Sequence, residues 1–311
     1  MSWWIAFLSA AVVAGTPLLF ASLGGILCER VGNQNLGIEG MMMMGAVAGF
    51  IVAIKTASPL AAMAAAALAG LIGALIYAVL AITLRTNQVV TGLTLTMFGT
   101  GLANFLGKPY INLMTPVRVK SFFAAKAIPV LSDIPIIGPI FFKQDLFIYF
   151  GYLTVLVLGV YLFKTRPGLN MRAVGQNPAA ADAASINVTF YKYAHVLLGG
   201  ALCGLGGAYL SLVYVPSWQE NITAGLGWIA VALIIFATWN PYKAVFGSYL
   251  FGGLTILGFR LQGAGMHINQ YLVDMTPYIV TILVLVLVSQ GHNPKNAPPK
   301  ALGEPYFREE R

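Results

Sequence analysis

Nine stretches of this chain are apolar over the length, or nearly the length, that a lipid bilayer demands: residues 3–27, 36–54, 59–84, 88–107, 146–163, 193–215, 224–239, 245–259 and 271–289. A helix needs about 20 such residues to cross the hydrocarbon core. Inside lipid every backbone N–H and C=O must find a partner within the protein, so only helices and closed barrels span it. Continuous apolar runs of this length specify helices. The pieces 224–239 and 245–259 are short, and Asn240-Pro241 between them reads as a tight turn, because proline lacks the donor that would continue a helix. The expected fold is an all-α polytopic membrane protein with about 8–10 transmembrane helices.

Composition agrees. Only 9% of the 311 residues are charged and 58% are hydrophobic, against roughly 25% charged in a soluble domain. The formal net charge of +8 comes from basic residues spread over loops and tails, with no basic patch carrying interleaved aromatics, so nucleic acid is not an expected partner. The N-terminus lacks a basic leader and its apolar run continues to Leu27, which predicts an uncleaved membrane segment. Cys28 and Cys203 lack metal-ligand spacing and read as small packing residues.

Basic residues orient the spans. The tail at 290–311 carries Lys295, Lys300, Arg308 and Arg311, and the segment 164–192 carries Lys164, Arg166, Arg172 and Lys192. Counting spans between them puts both on one side, expected to be the cytoplasm. The same count puts 29–35, Arg85 and 240–243 inside, and 108–145, 216–223 and 260–270 outside. The long outer segment, with Lys108, Arg118, Lys120, Lys126 and Lys143, runs against the charge rule.

Catalytic signatures are absent. There is no phosphate-binding G-x-x-x-x-G-K-[ST], no H-E-x-x-H and no C-x-x-C. His195, His267 and His292 are scattered, and Ser248 lacks the Gly-x-Ser-x-Gly setting of a nucleophile. No cofactor is expected in this chain. Glu39 and Asp274 are ionisable groups within apolar spans, where a charge is costly and usually faces a cavity or a partner. Two readings of Glu39 stand side by side: a wall of a transport path, or an ion-pair network with Glu29 and Arg30. Asn35, Asn87, Gln88 and Asn104, with Trp218 and Asn221 in the outer polar elbow, are further candidates for the path. An interhelical hydrogen bond is the competing reading for each amide. The run Met41–Met44 reads as packing.

Two polar elbows lead through glycine into apolar helices: CERVGNQNLGIEGMMMMGAVAGF from Cys28, and SWQENITAGLGWIAVALIIF from Ser217. The span count puts them on opposite sides, as an inverted internal repeat requires. Between the halves lies MRAVGQNPAAADAASINV, from Met171 to Val188, polar in a chain with little polarity. Asn177 and Pro178 predict a short helix over 177–185, and Gly175 a turn before it. Such a helix is placed either to dock into a groove on a cytoplasmic partner or to serve as an ordinary connector.

ERVGNQNLGIEGMMMMGA, from Glu29 to Ala46, resembles the E-R-x-G-x-x-N-x-G-x-E-G-M signature of ABC-importer permeases for nucleosides and simple sugars, within the branched-chain amino acid and ribose permease superfamily. NQVVTGLTL (Asn87 to Leu95), GLNMRAVGQNPAAADAASINV (Gly168 to Val188), ENITAGLGWIAVALIIFATWNP (Glu220 to Pro241) and the terminal ALGEPYFREER resemble further blocks of that family in the same order. Gln176 departs from the pattern, which has Glu there. The resemblance implies one permease domain over 1–311, with 164–192 as a coupling loop and 290–311 as a cytoplasmic tail, in a prokaryotic cell membrane. Arg172, Gly175, Gln176, Asn177, Pro178, Ala180, Asp182 and Ala184 would then meet the ATPase. It also implies the partners: a cytoplasmic ABC ATPase that binds ATP and Mg, a second permease subunit, an extracytoplasmic binding protein and a small-molecule substrate. Transport would proceed by alternating access. The competing expectation is a secondary transporter or channel working alone.

Overall fold

The computed structural model describes residues 3–263, 269, 275–289 and 297–308. Asp274, His267, His292 and Lys295 lie outside the described residues. Among the described residues there are thirteen α-helices: α1 (Trp3–Arg30), α2 (Ile38–Thr56), α3 (Pro59–Ala78), α4 (Gln88–Gly107), α5 (Val117–Phe122), α6 (Ile137–Phe141), α7 (Leu146–Lys164), α8 (Arg166–Gln176), α9 (Pro178–Ala183), α10 (Val188–Tyr209), α11 (Leu226–Phe236), α12 (Pro241–Gly263) and α13 (Thr276–Ser289). Among the described residues, six helical stretches are long and apolar enough to cross a membrane, beginning at Trp3, Ile38, Pro59, Gln88, Leu146 and Val188. α11 is too short to do so.

Local chemistry sets the helix starts. Ser58, Asn87, Asp145, Thr165, Asn177 and Asn187 each accept a backbone N–H of the first turn, and Pro59, Pro167 and Pro178 sit where a donor would be unused. The cap at Asn187 starts α10 five residues before the apolar run begins at Tyr193, because capping rather than hydropathy decides where hydrogen bonding begins. Pro241 opens α12, as its turn signal predicts. Gly175 is not a turn. It lies inside α8, where its missing side chain lets the helix rest on the Arg30 carbonyl.

The packing repeats itself with exchanged partners. α1 packs along α12, and α10 packs along α3. α2 rests on α3, α4 and α10, whereas α11 rests on α12, α13 and α1. Thus α1–α4 correspond to α10–α13, and the pairs α1/α10 and α2/α11 join each helix to its own counterpart. The helices approach closely because glycines face backbone. Gly24 and Gly199 meet between α1 and α10, Gly70 and Gly204 between α3 and α10, Gly15 and Gly252 between α1 and α12. Met41, Met42 and Met43 are fully buried packing residues, and Cys28 and Cys203 are buried free thiols, as expected.

Hydrogen bonds sort the connections into two ends. At one end the tail crosses elbow and helix alike: Ala301 N–H donates to Gly175 O at 3.0 Å, and Gly303 N–H to Gly32 O at 3.2 Å. Arg85 stacks there on Phe307 at 4.7 Å. At the other end Thr115 N–H donates to Pro216 O at 3.0 Å, joining the basic segment 108–145 to the second elbow. That segment folds into α5, α6 and the two-residue strands β1 (Lys126–Ala127) and β2 (Lys143–Gln144). The 19 residues of α7, about 28 Å at 1.5 Å per residue, separate it from α8. Among the described residues, the connections at 29–35, Arg85 and 164–192 group apart from those at 108–145 and 216–223, as counted from the sequence.

A Cβ at Gly204 would run into the Ala66 carbonyl of α3, whereas one at Gly101 meets nothing within 4 Å. Gly204→Val should therefore lose the monodisperse peak in size-exclusion chromatography, since a rigid backbone cannot yield to overpacking. Gly101→Ala should elute like the unchanged protein.

Candidate functional site

The two elbows meet around α11. Eleven residues make a helix of about 16 Å, leaving four N–H and four C=O groups without intrahelical partners. Its own N-cap is Gly225 in the left-handed region at φ 85°, with no side chain to offer. Glu39, at the start of α2 and 7% exposed, supplies the cap instead. Its Oε1 accepts from Gly225 N–H at 2.9 Å and from the Thr223 hydroxyl at 2.5 Å, and its Oε2 accepts from Gly227 N–H at 2.5 Å. A carboxylate suits the positive end of a helix. The other end is gripped by the residues before the first elbow. Arg30 donates through Nε to Trp239 O at 2.9 Å and through Nη2 to Thr238 O at 3.4 Å. Trp239 donates its indole N–H to Glu29 Oε2 at 2.6 Å. The ion-pair reading of Glu39 does not describe this arrangement. Among the described residues Glu29, Arg30 and Glu39 form no ion pairs with one another; all three hold α11.

The other path candidates divide by location. Asn35 is buried, with Oδ1 accepting Gly37 N–H at 2.8 Å. Buried Gln88 accepts the Gln34 N–H at 2.7 Å, while Tyr77 donates to Gln34 O at 2.8 Å. These side chains hold the first elbow. Asn87 is exposed and caps α4. Trp218 is 1% exposed, a wedge seated against Gly107 at the end of α4. Asn104 and Asn221 come together at the surface: Asn104 Nδ2 donates to Asn221 Oδ1 at 3.0 Å, and Asn221 N–H to Asn104 Oδ1 at 3.3 Å. His195, bonded to the Tyr161 hydroxyl at 2.8 Å and the Tyr191 carbonyl at 2.6 Å, is a satisfied interior histidine.

At the opposite end, α8 and α9 form a small platform. Gln176 and Asn177 are exposed, and Asn177 caps α9 by accepting Ala180 N–H at 3.0 Å, with Pro178 in the first turn. Ala179, Ala180, Ala183 and Ala184 face outward, while Ala181 is buried. Two residues of the expected docking set point inward instead. The Arg172 guanidinium lies over the Phe163 ring at 5.7 Å, at the end of α7. Asp182 is engaged by the tail, accepting from the Tyr306 hydroxyl at 2.9 Å and pairing with Arg308 Nε at 3.2 Å. Its charge orients the tail. Sequence reasoning missed Thr223, Gly227, Trp239, Tyr306 and Arg308. Only the tail residues left a signal, as an aromatic and a cation in a polar terminus.

Comparisons with known proteins find similar sequences over nearly the whole chain. Residues 7–288 match the family described as "Branched-chain amino acid transport system / permease component". The chain is 36% identical to the nucleoside ABC transporter permease protein NupC of Lactococcus lactis subsp. cremoris, over 96% of this chain and 95% of that one. It is 35% identical to the putative glucose ABC transporter permease protein TsgC13 of Haloferax volcanii, covering 99% of each. It is 33% identical to the guanosine ABC transporter permease protein NupQ of Bacillus subtilis, over 97% and 96%.

Replacing Glu39 by Gln puts an amide donor against backbone donors. This should leave one N–H of α11 unpaired and destabilise the protein by roughly 1–3 kcal/mol, read as a lower thermal midpoint in detergent. Glu39→Asp should fall between the two. Gly227→Ala, whose Cβ would sit 2.5 Å from the Glu39 backbone, should be more damaging than Thr223→Val.

Proposed function

This chain belongs to the family of branched-chain amino acid transport system permease components, and from that premise we propose that it is the membrane subunit of an ATP-driven importer for nucleosides or related simple sugars. The chain is a multi-pass protein of a prokaryotic cell membrane. Its relatives named for nucleoside, guanosine and glucose transport suggest the substrate class. ATP binding and hydrolysis, with Mg, fall to a separate cytoplasmic ATPase. A second permease subunit and an extracytoplasmic binding protein complete the system.

The observation that carries this reading is the small-residue platform of α9. Ala179, Ala180, Ala183 and Ala184 offer a face over which another protein's backbone can approach closely. The platform is braced from behind by the buried Ala181, by α8 on the Arg30 carbonyl, and by the tail on Asp182. A displacement of the platform would pass through Arg30 to the Thr238 and Trp239 carbonyls, and so to α11. α11 is bound to the first turn of α2 by Glu39. This continuous, rigid route supports alternating access, in which ATPase closure rocks the two halves. Asn104 and Asn221, paired at the far end, are proposed to meet the substrate as the binding protein releases it.

Ala180→Trp and Ala184→Trp should each abolish uptake and weaken ATPase co-purification, because overpacking a fitted contact costs roughly 1–3 kcal/mol. Membrane insertion should be unchanged, since both side chains are outward-facing. Cysteine at Ala180 should be labelled from the cytoplasm and cysteine at Asn221 from outside. Unimpaired uptake with tryptophan at all four outward alanines would remove the platform from the mechanism.

A further inference from the structure

We propose that the cleft between the end of α3, the segment after α9 and the C-terminal tail is a binding site for a phosphate-bearing small anion that latches the tail onto the platform. The cleft holds about 630 Å³ and is lined by Arg85, Asp182, Thr189, Lys192, Tyr306 and Arg308 among others. That volume is in the usual range for small-molecule sites, about 300–1,000 Å³. Lys192 carries the argument. It is 3% exposed, faces the cleft, and has no hydrogen-bond or ion-pair partner among the described residues. A buried cation without a partner is costly, and an anion in the cleft would remove that cost.

The charge in the cleft fits phosphate. Arg85, Lys192 and Arg308 contribute three positive charges and Asp182 one negative, so the excess is 3 − 1 = 2. A phosphate monoester carries about −1.5 to −2 at neutral pH. Asp182 is engaged with Arg308 and Tyr306, so its charge does not face the anion unopposed. The first turn of α10, a 22-residue helix, also opens onto the cleft at Val188 and Thr189, adding the positive end of its dipole. Arg85, in the left-handed region at φ 56°, is held toward the tail by the Phe307 ring. An anion bridging Arg85 and Lys192 on one wall and Arg308 on the other would tie the tail to the segment that follows α9. The phosphate could belong to a free cytoplasmic molecule or to a lipid headgroup, since the cleft lies at the end of spans α3 and α10.

The test is hydrogen–deuterium exchange on the full-length chain in phosphatidylcholine nanodiscs, reading peptides over 182–189 and 301–308. Inorganic phosphate at about ten times its Kd should slow exchange of both peptides about tenfold, and sodium chloride at equal ionic strength should not. Slowing by phosphatidylglycerol in the nanodisc without added phosphate would assign the phosphate to a lipid. Lys192→Met, which keeps the stem and removes the charge, should lose the slowing. Should that variant fail to fold, Arg85→Gln on the exposed wall gives the same reading. The proposal is overturned if neither phosphate nor phosphatidylglycerol slows exchange, or if the folded variant keeps the slowing in full.

Discussion

A short helix inside a membrane protein has two ends to satisfy, and the structure turns on how α11 does so. Its N-terminal amides are taken by Glu39, and the turn that closes its C-terminal end is held by Arg30 through the Thr238 and Trp239 carbonyls. Both residues flank the first elbow, so the seven residues between α1 and α2 bridge the whole length of α11. Water cannot serve these groups in the interior, and an unpaired group there costs several kcal/mol. The Gln34 and Gly37 backbone groups of the first elbow are pinned in turn by Gln88, Tyr77 and Asn35, while the buried Asn33 side-chain amide has no hydrogen-bond partner among the described residues. Arg30, Asn35 and Glu39 of the signature thus bond to backbone groups.

The exchange of partners between α1–α4 and α10–α13 explains why glycine is dense where it is. Corresponding helices cross at α1/α10 and α2/α11, and at such crossings two backbones need the same space. Gly227 lies against the backbone of Glu39 with no room for a methyl group. Gly24 and Gly199 do the same between α1 and α10. Contacts of this kind are shape-determined and yield little to compression, so the halves are suited to move as units rather than to deform.

The platform of α8 and α9 joins this frame at two points. α8 rests on the Arg30 carbonyl, so the residue that grips α11 also supports the platform. The tail adds a second tie through Asp182, and lies across Gly32 and Gly175. Elbow, platform and tail therefore share one end of the molecule, with the Asn104–Asn221 pair at the other.

What the sequence determined by itself follows from rules that act over a few residues. Apolar length set the six spans among the described residues but not the short α11, polar caps set helix starts, and Pro241 divided α11 from α12. The correspondence of the elbows was legible because both carry glycine before an apolar run. Partner assignments were not legible. That Glu39 caps a helix 186 residues away at Gly225, that Asp182 binds Tyr306 and Arg308, and that Gly175 is a contact rather than a turn all depend on which backbones come together. A carboxylate near a run of glycines is compatible with an ion pair or a cap. Only the tertiary structure, by bringing unpaired amides to within 3 Å of it, decided which.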